Sequence, residues 1–335
     1  MATDINIEMT RYNGTDYDTL YPKTTVSQVD GAQPKLTAGQ YVDISSSNVI
    51  NTKAFPCNPN LLDNWYFGDP VNQRGQTSYT GAGYGIDRWK LAGHPLSVQA
   101  GSIKVACNSA ASANYALQQL LKNPIIGEQY TISVLVLENT TTSGISLRNG
   151  EHAGAPILGT GLFSKTFTAD STVGSQGVGI QFHNRTEDNN NYFVVKAVKL
   201  ELGSQQTLAH QENGAWVLNE IPRFSDQLAA CQRYLIPINN WTRARASYYS
   251  GTALFFTVPI PSTMRTTPAI LDPSGALAVQ SVSGVDQADF TFDCNMSTPG
   301  SISVRAAKNS HGLTDGQLVK RGGGNFQTAF FSSEL

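Results

Sequence analysis

Short runs in which apolar and polar residues alternate recur through most of the sequence, from about residue 57 to 205 and again from residue 241 onward. A side-chain period of two is typical of β-strands that place one face on a core. We predict Val178–Phe182 to be such a half-buried strand, and residues 132–136, apolar on both faces, to be a central one. Clusters of Gly, Asn and Pro, which favour turns, separate the runs. The sequence therefore predicts a mostly β protein.

The spacing of these runs predicts two β-domains. Residues 56–205 alternate strands with Gly- and Asn-rich turns, a pattern typical of an antiparallel jelly-roll sandwich. Residues 241–335 repeat the pattern and predict a C-terminal β-sandwich tip, with a final strand over residues 326–331. Residues 206–240 between them are predicted to be a linker with one short connector helix.

Two segments have helical patterns. Residues 113–122 are rich in Ala, Leu and Gln, and Pro124 would block a continuing helix. The connector helix is predicted to begin at Ser225, a good N-cap, with Asp226 in the first turn, where a carboxylate favours the helix dipole. Pro237 would end it. Three apolar residues would share one face of this helix at positions i, i+3 and i+7: Leu228, Cys231 and Leu235.

The N-terminal segment, residues 1–55, is too short to bury a core of its own. Weak alternation around a turn at residues 13–14 predicts one or two short strands, and residues 35–50 predict a β-hairpin. Two interpretations of this hairpin stay open. It is either a linker hairpin laid on the next domain or a strand pair that intertwines with symmetry mates in a trimeric collar.

The composition is poor in charge. Charged residues make up 14% of the 335 residues, and the formal net charge is -2. Such a chain has no overall field to attract nucleic acid, so we expect no nucleic-acid partner. The N-terminal residues lack the basic and apolar regions of a signal peptide, and no apolar run approaches the roughly 18 residues of a membrane span. We therefore expect no membrane insertion.

Few residues indicate catalytic or metal chemistry. The motifs typical of nucleophilic, phosphate-binding or zinc-hydrolase sites are missing from the sequence, and its five histidines are isolated. We therefore expect no catalytic residue, no cofactor and no metal site. The oxygen-rich segment 187–191 is consistent with a calcium site, although we favour a solvated loop. Four widely spaced cysteines predict free, buried or half-buried thiols: Cys57, Cys107, Cys231 and Cys294.

Sugar binding requires little more than an aromatic ring and a few polar groups in a concave surface. One segment of the predicted tip offers such a set, and we take it as the candidate glycan-binding site: Trp241, Arg243, Tyr248 and Tyr249. Strand and core packing is the alternative role for these residues. Trp65 and Trp89 occur in alternating strands and are therefore predicted to lie in the core.

Three segments carry specific motifs. Residues 60–89 contain NLLDNWYF, PVNQRG and IDRW, residues 199–203 read KLELG, and residues 228–234 read LAACQRY. In this order they resemble the start, the closing strand and the following helix of jelly-roll, carbohydrate-binding-like modules in tail fibres of phages and prophages of Gram-positive gut bacteria. More weakly, residues 6–30 resemble tail-attachment segments, and residues 35–50 resemble hairpins of trimeric fibres.

This resemblance implies a homotrimeric phage tail fibre, or receptor-binding protein, that attaches the virion to host cell-surface glycans. Residues 1–55 would then be the attachment segment and collar hairpin, which bind tail or baseplate proteins. The protein would be part of the virion tail, assembled in the host bacterial cytoplasm, and would not be an enzyme. Two alternatives stay open: a tail-associated polysaccharide depolymerase, and a purely structural linker of the tail or baseplate.

Overall fold

The fold is known from a computed structural model. It describes residues 9–12, 15, 17–20, 42–44, 50–52, 58–111, 115–183, 187–189, 191–238, 244–250, 252–272, 277–280, 286–287, 289–294, 297–309, 311, 318–321 and 329–334. The chain falls into two compact units, Met1–Pro56 and Cys57–Leu335, which we describe separately.

The described residues of the first unit form antiparallel hairpins. Strand β1 (Met9–Tyr12) pairs with β2 (Tyr17–Leu20), which agrees with the prediction of short N-terminal strands. Strand β3 (Val42–Ile44) pairs with β4 (Ile50–Thr52), so the second predicted hairpin is also confirmed. Whether this hairpin serves as a linker or in a trimeric collar stays a prediction.

Short and long strands with one short helix build the first part of the second unit. They are β5 (Ser78–Tyr79), β6 (Ala82–Tyr84), β7 (Lys90–Ala92), β8 (Leu96–Gln99), β9 (Ser102–Ala106), β10 (Leu117–Gln119), β11 (Gln129–Asn139), β12 (Ile145–Asn149), β13 (His152–Ala153), β14 (Gly161–Thr168), α1 (Ser171–Gln176), β15 (Val178–Phe182) and β16 (Tyr192–Leu202). They form two six-stranded sheets with the orders β13-β12-β15-β10-β7-β6 and β14-β11-β16-β9-β8-β5, in which all pairs are antiparallel. Apolar residues of both sheets share one core. This antiparallel, sandwich-like arrangement agrees with the predicted fold class.

Strand β11 lies between β14 and β16, and residues 130–136 are buried on both faces. The prediction of a central strand over residues 132–136 is therefore confirmed. The half-buried pattern predicted for β15 is wrong, because all five of its residues are buried. Its polar face is covered by neighbouring polar side chains: Gln181 accepts a hydrogen bond from Arg148 (3.0 Å) and donates one to Ser146 (3.1 Å).

The closing strand β16 alternates Leu with charged residues, yet its charged side chains are also buried. Lys199 and Glu201 are fully buried because the following segment, residues 207–220, covers that face of the sheet. Lys199 pairs with Glu220 (2.8 Å), and Glu201 accepts hydrogen bonds from the backbone N–H and the hydroxyl of Thr207 (2.6 Å each). The covering segment contains the hairpin β17 (Ala209–Glu212) and β18 (Ala215–Leu218).

We predict that Glu201→Ala destabilises the fold by about 2 kcal/mol, because it leaves two donors of Thr207 without an acceptor in a buried place. Chemical denaturation followed by tryptophan fluorescence measures this change. The matched variant Glu212→Ala, at an exposed position in the covering hairpin β17–β18, should change stability by less than about 0.5 kcal/mol. Equal effects of the two variants would show that residues 207–220 do not depend on the Glu201 carboxylate.

The helices differ from the predictions in three ways. The segment predicted as a helix over residues 113–122 contains β10 instead, because pairing with β7 and β15 outweighs local propensity; residues 112–114 lie outside the described part. The connector helix exists as α2 (Phe224–Gln232), but its N-cap is Arg223, and Leu235 lies in the next strand. Helix α1, with Asp170 as its N-cap, was not predicted because so short a helix carries no clear periodicity.

The C-terminal part of the second unit is again antiparallel β. Its strands are β19 (Leu235–Pro237), β20 (Ala244–Ser250), β21 (Ala253–Val258), β22 (Ala269–Leu271), β23 (Leu277–Gln280), β24 (Asp286–Gln287), β25 (Thr291–Asp293), β26 (Ile302–Ala307), β27 (Leu318–Arg321) and β28 (Phe330–Ser332). A seven-stranded sheet has the order β24-β23-β27-β20-β21-β26-β25, and a three-stranded sheet has the order β19-β28-β22. A second apolar core includes residues of both sheets. The last strand starts at Phe330, later than the predicted residue 326; residues 322–328 are not described.

In the described part of the chain, the cysteines are free and buried, as the sequence predicts. Cys107, Cys231 and Cys294 are free and buried, whereas Cys57 lies outside the described residues. Burial raises the pKa of the Cys107 and Cys294 thiols to about 11. Among the described helices, none is long and apolar enough to span a membrane.

Candidate functional site

The predicted glycan-binding residues fall mostly outside the described structure. Trp241 and Arg243 lie in the undescribed segment 239–243. Tyr248 and Tyr249 belong to strand β20, but their side chains are not described. This site therefore stays a prediction.

Residues 60–89 contribute large buried side chains and a hydrogen-bond network to the core of the sandwich. Trp65 and Trp89 are 4% and 0% exposed, which confirms their predicted core role, but both lie outside the strands in which they were predicted. The Asn64 side chain donates to the carbonyls of Val71 and Asp87 (2.8 Å each) and accepts from the Val71 N–H (2.7 Å). The Trp89 indole N–H donates to the Asn64 carbonyl (2.8 Å). These bonds hold the turns of this stretch together inside the core.

The same stretch also contacts the C-terminal part of the unit, and we call this contact region the joint. The Arg88 side chain is 2% exposed; its Nε donates to the Asp63 carboxylate (3.0 Å), and its guanidinium lies 3.5 Å from the centre of the Tyr234 ring. Asp63 is fixed in turn by two reciprocal 2.8 Å hydrogen bonds between its backbone and the Gln119 side chain. A cation stacked on an aromatic ring away from water is strongly stabilising.

A second set of polar contacts lies beside Arg88. Arg74 binds the carboxylate of Glu334, and its other terminal nitrogen lies 3.8 Å from the Asp87 carboxylate. Gln73 donates to Asp87 and, with the same amide group, to the carbonyl of Leu235 (2.8 Å). The joint therefore brings the start of the sandwich together with the C-terminal end of the chain.

We predict that Arg88→Ala loosens the joint and costs about 2 kcal/mol of stability, because it removes the cation–π contact and the buried ion-pair partner of Asp63. Thermolysin should then cleave helix α2 faster than in the unchanged protein. Arg305→Ala is the matched control, since Arg305 forms an ion pair with Asp293 (2.6 Å) within the C-terminal sheet. If both variants are cleaved at the unchanged rate, Arg88 does not hold the joint.

A groove opens to solvent at the joint. Its volume is about 440 Å³. Its walls come from the sandwich, from α2 and from the loop after β21, and its lining residues are Asp63, Ala229, Ala230, Arg233, Tyr234, Ser262 and Thr263.

The groove lining combines a fixed backbone at Arg233 with polar side chains. The Arg233 carbonyl accepts from the Arg265 N–H (2.7 Å) and the Ser333 hydroxyl (2.9 Å), so the backbone is fixed while the Arg233 side chain is exposed. The Ser262 hydroxyl oxygen is buried and has no hydrogen-bond partner among the described residues. The Tyr234 ring is 6% exposed, so it is a wall of the groove and offers little surface for stacking. The Asp63 carboxylate, the Arg233 guanidinium and the exposed Thr263 hydroxyl can together bind a polyhydroxylated ligand.

Glu187, in the segment 187–191, does not belong to the solvated loop that we favoured. It is 2% exposed, and its carboxylate accepts hydrogen bonds from the backbone N–H groups of Thr142 and Ser143 (2.8 Å each) and from the side chains of Thr142 and Asn191. Burial works against the charged form, but these bonds outweigh it and hold the pKa of Glu187 below its usual value. The carboxylate therefore fastens two loops together.

The described residues contain no group of three or more His, Cys, Asp or Glu side chains that could hold a metal ion. Each histidine makes a hydrogen bond to protein, as expected for structural or surface residues. The partners of His94, His152, His183, His210 and His311 are the Asn108 N–H, Asp170, Ser146, Asn219 and the Ser250 carbonyl.

Sequence reasoning assigned the groove residues to other roles. The motif at residues 228–234 was interpreted as a connector helix, although it supplies much of the groove lining. Two signals in the sequence were available: polar residues inside an otherwise aromatic stretch around Asp63 and Arg88, and an Arg-Tyr pair directly after an amphipathic helix. Neither signal indicates that these segments meet.

Comparisons with known proteins add little to this description. No model of a protein family matches the sequence, and no curated protein matches it. Among solved structures, the chain is similar to the N-terminal CBM22-1–CBM22-2 tandem domain of Xyn10C from Paenibacillus barcinonensis, with 9% sequence identity and a TM-score of 0.24. The match covers 84% of this chain and 98% of that chain. At this TM-score the similarity supports no conclusion about a ligand.

Proposed function

We propose that the protein is a non-enzymatic, homotrimeric tail fibre, or receptor-binding protein, that attaches a phage to glycans on the host cell surface. In this proposal residues 1–55 anchor it to the tail or baseplate, and it is located in the virion. The resemblance of residues 60–89, 199–203 and 228–234 to tail-fibre modules supports the proposal. The antiparallel β architecture and the low charge content are consistent with it.

The observation that carries the glycan-binding part is the groove at the joint. It is concave and about 440 Å³ in volume, and it combines acceptors and donors that suit sugar hydroxyls, with a small apolar floor from Ala229 and Ala230. Asp63 is prepositioned by Gln119 and Arg88, so little side-chain ordering is required on binding. The predicted site at Trp241, Arg243, Tyr248 and Tyr249 is a second candidate for the same function.

A trimer would strengthen weak binding at each groove. Three sites on one rigid particle turn the second and third binding events into intramolecular ones, so avidity exceeds the affinity of a single site by about 10²–10⁴-fold when the geometry permits. Size-exclusion chromatography with light scattering tests this part. A mass three times that of the 36.1 kDa chain is expected, and a monomer at micromolar concentration would contradict it.

Binding of the full chain to an array of bacterial surface polysaccharides tests the function itself. Ala229→Trp fills the groove from an exposed position and should abolish binding, whereas Ala215→Trp, exposed in β18 and outside the groove lining, should not. If Ala229→Trp binds normally but Trp241→Ala with Tyr249→Ala does not, the second candidate is the site. Absence of binding to any polysaccharide or host cell would favour a structural linker.

Release of reducing ends from a bound polysaccharide would favour the depolymerase alternative. Glycoside hydrolysis normally uses two carboxyl groups on either side of the scissile bond. The lining of the groove includes one carboxylate, Asp63, and that carboxylate is paired with Arg88. We therefore expect bound polysaccharide to be recovered uncut.

A further inference from the structure

One cation at the groove has no anionic partner in the described structure. Arg88 lies beside the carboxylates of Asp63 and Glu334, whereas Arg233 lines the groove from the end of α2. The Asp63 carboxylate forms an ion pair with Arg88. Over the described ranges of the chain, no carboxylate lies within ion-pair distance of Arg233 or Arg265. Arg233 therefore places at the rim of the groove a positive charge that has no carboxylate partner among the described residues.

The three arginines lie at different depths. Arg88 is buried beneath Asp63 and Tyr234, and its second terminal nitrogen, Nη1, has no hydrogen-bond partner in the part of the chain that is described. The Arg265 guanidinium lies 6.0 Å from the Tyr234 ring centre, and its Nε donates to the Ser333 carbonyl (3.4 Å). Arg233 projects to solvent from the C-terminal end of α2. A guanidinium forms charge-assisted hydrogen bonds to carboxylate and phosphate groups, and these are stronger than its bonds to neutral hydroxyls.

We infer that the groove binds its saccharide through an anionic group, a carboxylate or a phosphate, that Arg233 contacts at the rim while the Thr263 hydroxyl and the Asp63 carboxylate contact the sugar. This inference rests on the proposed function and specifies its ligand class. The Asp63 carboxylate restricts the orientation, because the anionic group must lie on the Arg233 side. Sugar hydroxyls then face Asp63 as donors.

Calorimetric titration of the full chain tests the inference with three oligosaccharide probes: a carboxylated oligogalacturonate, an oligomer of glycerol phosphate and a neutral galacto-oligosaccharide. At least one anionic probe should bind about tenfold or more tightly than the neutral one, as charge-assisted hydrogen bonds imply. Its affinity should fall with added salt, since the exposed charge is screened. The two anionic probes distinguish a uronate from a phosphate ligand.

Arg233→Gln should lower the affinity for the anionic probe about tenfold and leave the affinity for the neutral probe unchanged. The substitution is mild, because the structural hydrogen bonds at this position use the backbone carbonyl of Arg233. Arg223→Gln is the matched control, an exposed arginine at the other end of α2 that does not line the groove. Equal binding of neutral and anionic probes, or no effect of Arg233→Gln, overturns the inference but leaves glycan binding intact. Failure to bind any host polysaccharide would instead overturn the proposed function.

Discussion

Replacing Trp89 by Ala is expected to destabilise the second unit by about 4 kcal/mol, in the range found for aromatic truncations in well-packed cores. Trp89 is fully buried, and its indole N–H donates to the Asn64 carbonyl. Its ring packs edge-on against Phe67, with 5.3 Å between the ring centroids. The substitution therefore removes a large apolar volume and also leaves a buried carbonyl without its donor. Chemical denaturation followed by far-ultraviolet circular dichroism measures the loss.

Trp216 is the natural control for this experiment. It lies on hairpin β17–β18 and is 37% exposed. Trp216→Ala should cost no more than about 1 kcal/mol, as for most partly exposed positions. If the two variants lose similar stability, residues 60–89 are not the centre of the core, and their motif has another role.

Ionisation of Asp87 should lower stability by about 2 kcal/mol as the pH rises from about 4 to 6, since each unit of pKa shift corresponds to about 1.4 kcal/mol and the carboxyl is partly ionised at both ends of this range. Burial raises the pKa of Asp87 to about 6, although hydrogen bonds from Gln73 and the charge of Arg74 oppose it. Between these pH values the unfolded carboxyl ionises first while the folded one keeps its proton. Folding is thus favoured at the acidic end, and the loss is complete above about pH 6.

Asp87→Asn should flatten this pH profile, and Glu334→Gln should flatten it in part, because burial also raises the pKa of Glu334. Asp289→Asn, at a side chain that is 86% exposed, is the control and should leave the slope unchanged. Denaturation curves at several pH values measure the slope. A profile that Asp87→Asn does not alter would contradict the protonation of Asp87 in the folded state.

Local pattern was sufficient to predict much of the β architecture. The run at residues 132–136, apolar on both faces, indicates a central strand because a period of two places alternate side chains on opposite faces. The same reasoning failed for β15, since a sequence does not reveal that Arg148 and Ser146 cover Gln181. It failed for residues 115–122 because the strands that pair with β10 lie far from it in sequence, β7 before it and β15 after it.

The candidate site was harder to predict than the fold. The groove exists because Asp63, the end of α2 and the loop at Ser262 meet, and no sequence pattern reports contacts between segments so distant along the chain. The sequence does contain the residues that stabilise unusual backbone conformations near the groove. Arg88 and Asn64 have positive φ angles (70° and 52°), which few non-glycine residues adopt. Arg88 is held by the contacts of the joint, and Asn64 is held by hydrogen bonds within residues 60–89.

Hydrogen exchange of the full chain with and without a host polysaccharide that it binds is the most direct test of glycan binding in the groove. The account predicts slower amide exchange on binding at residues 229–234 and 262–263, the two segments that line the groove beside Asp63. The contradicting result is a bound polysaccharide that leaves these amides unchanged and slows exchange elsewhere, for example in strand β20.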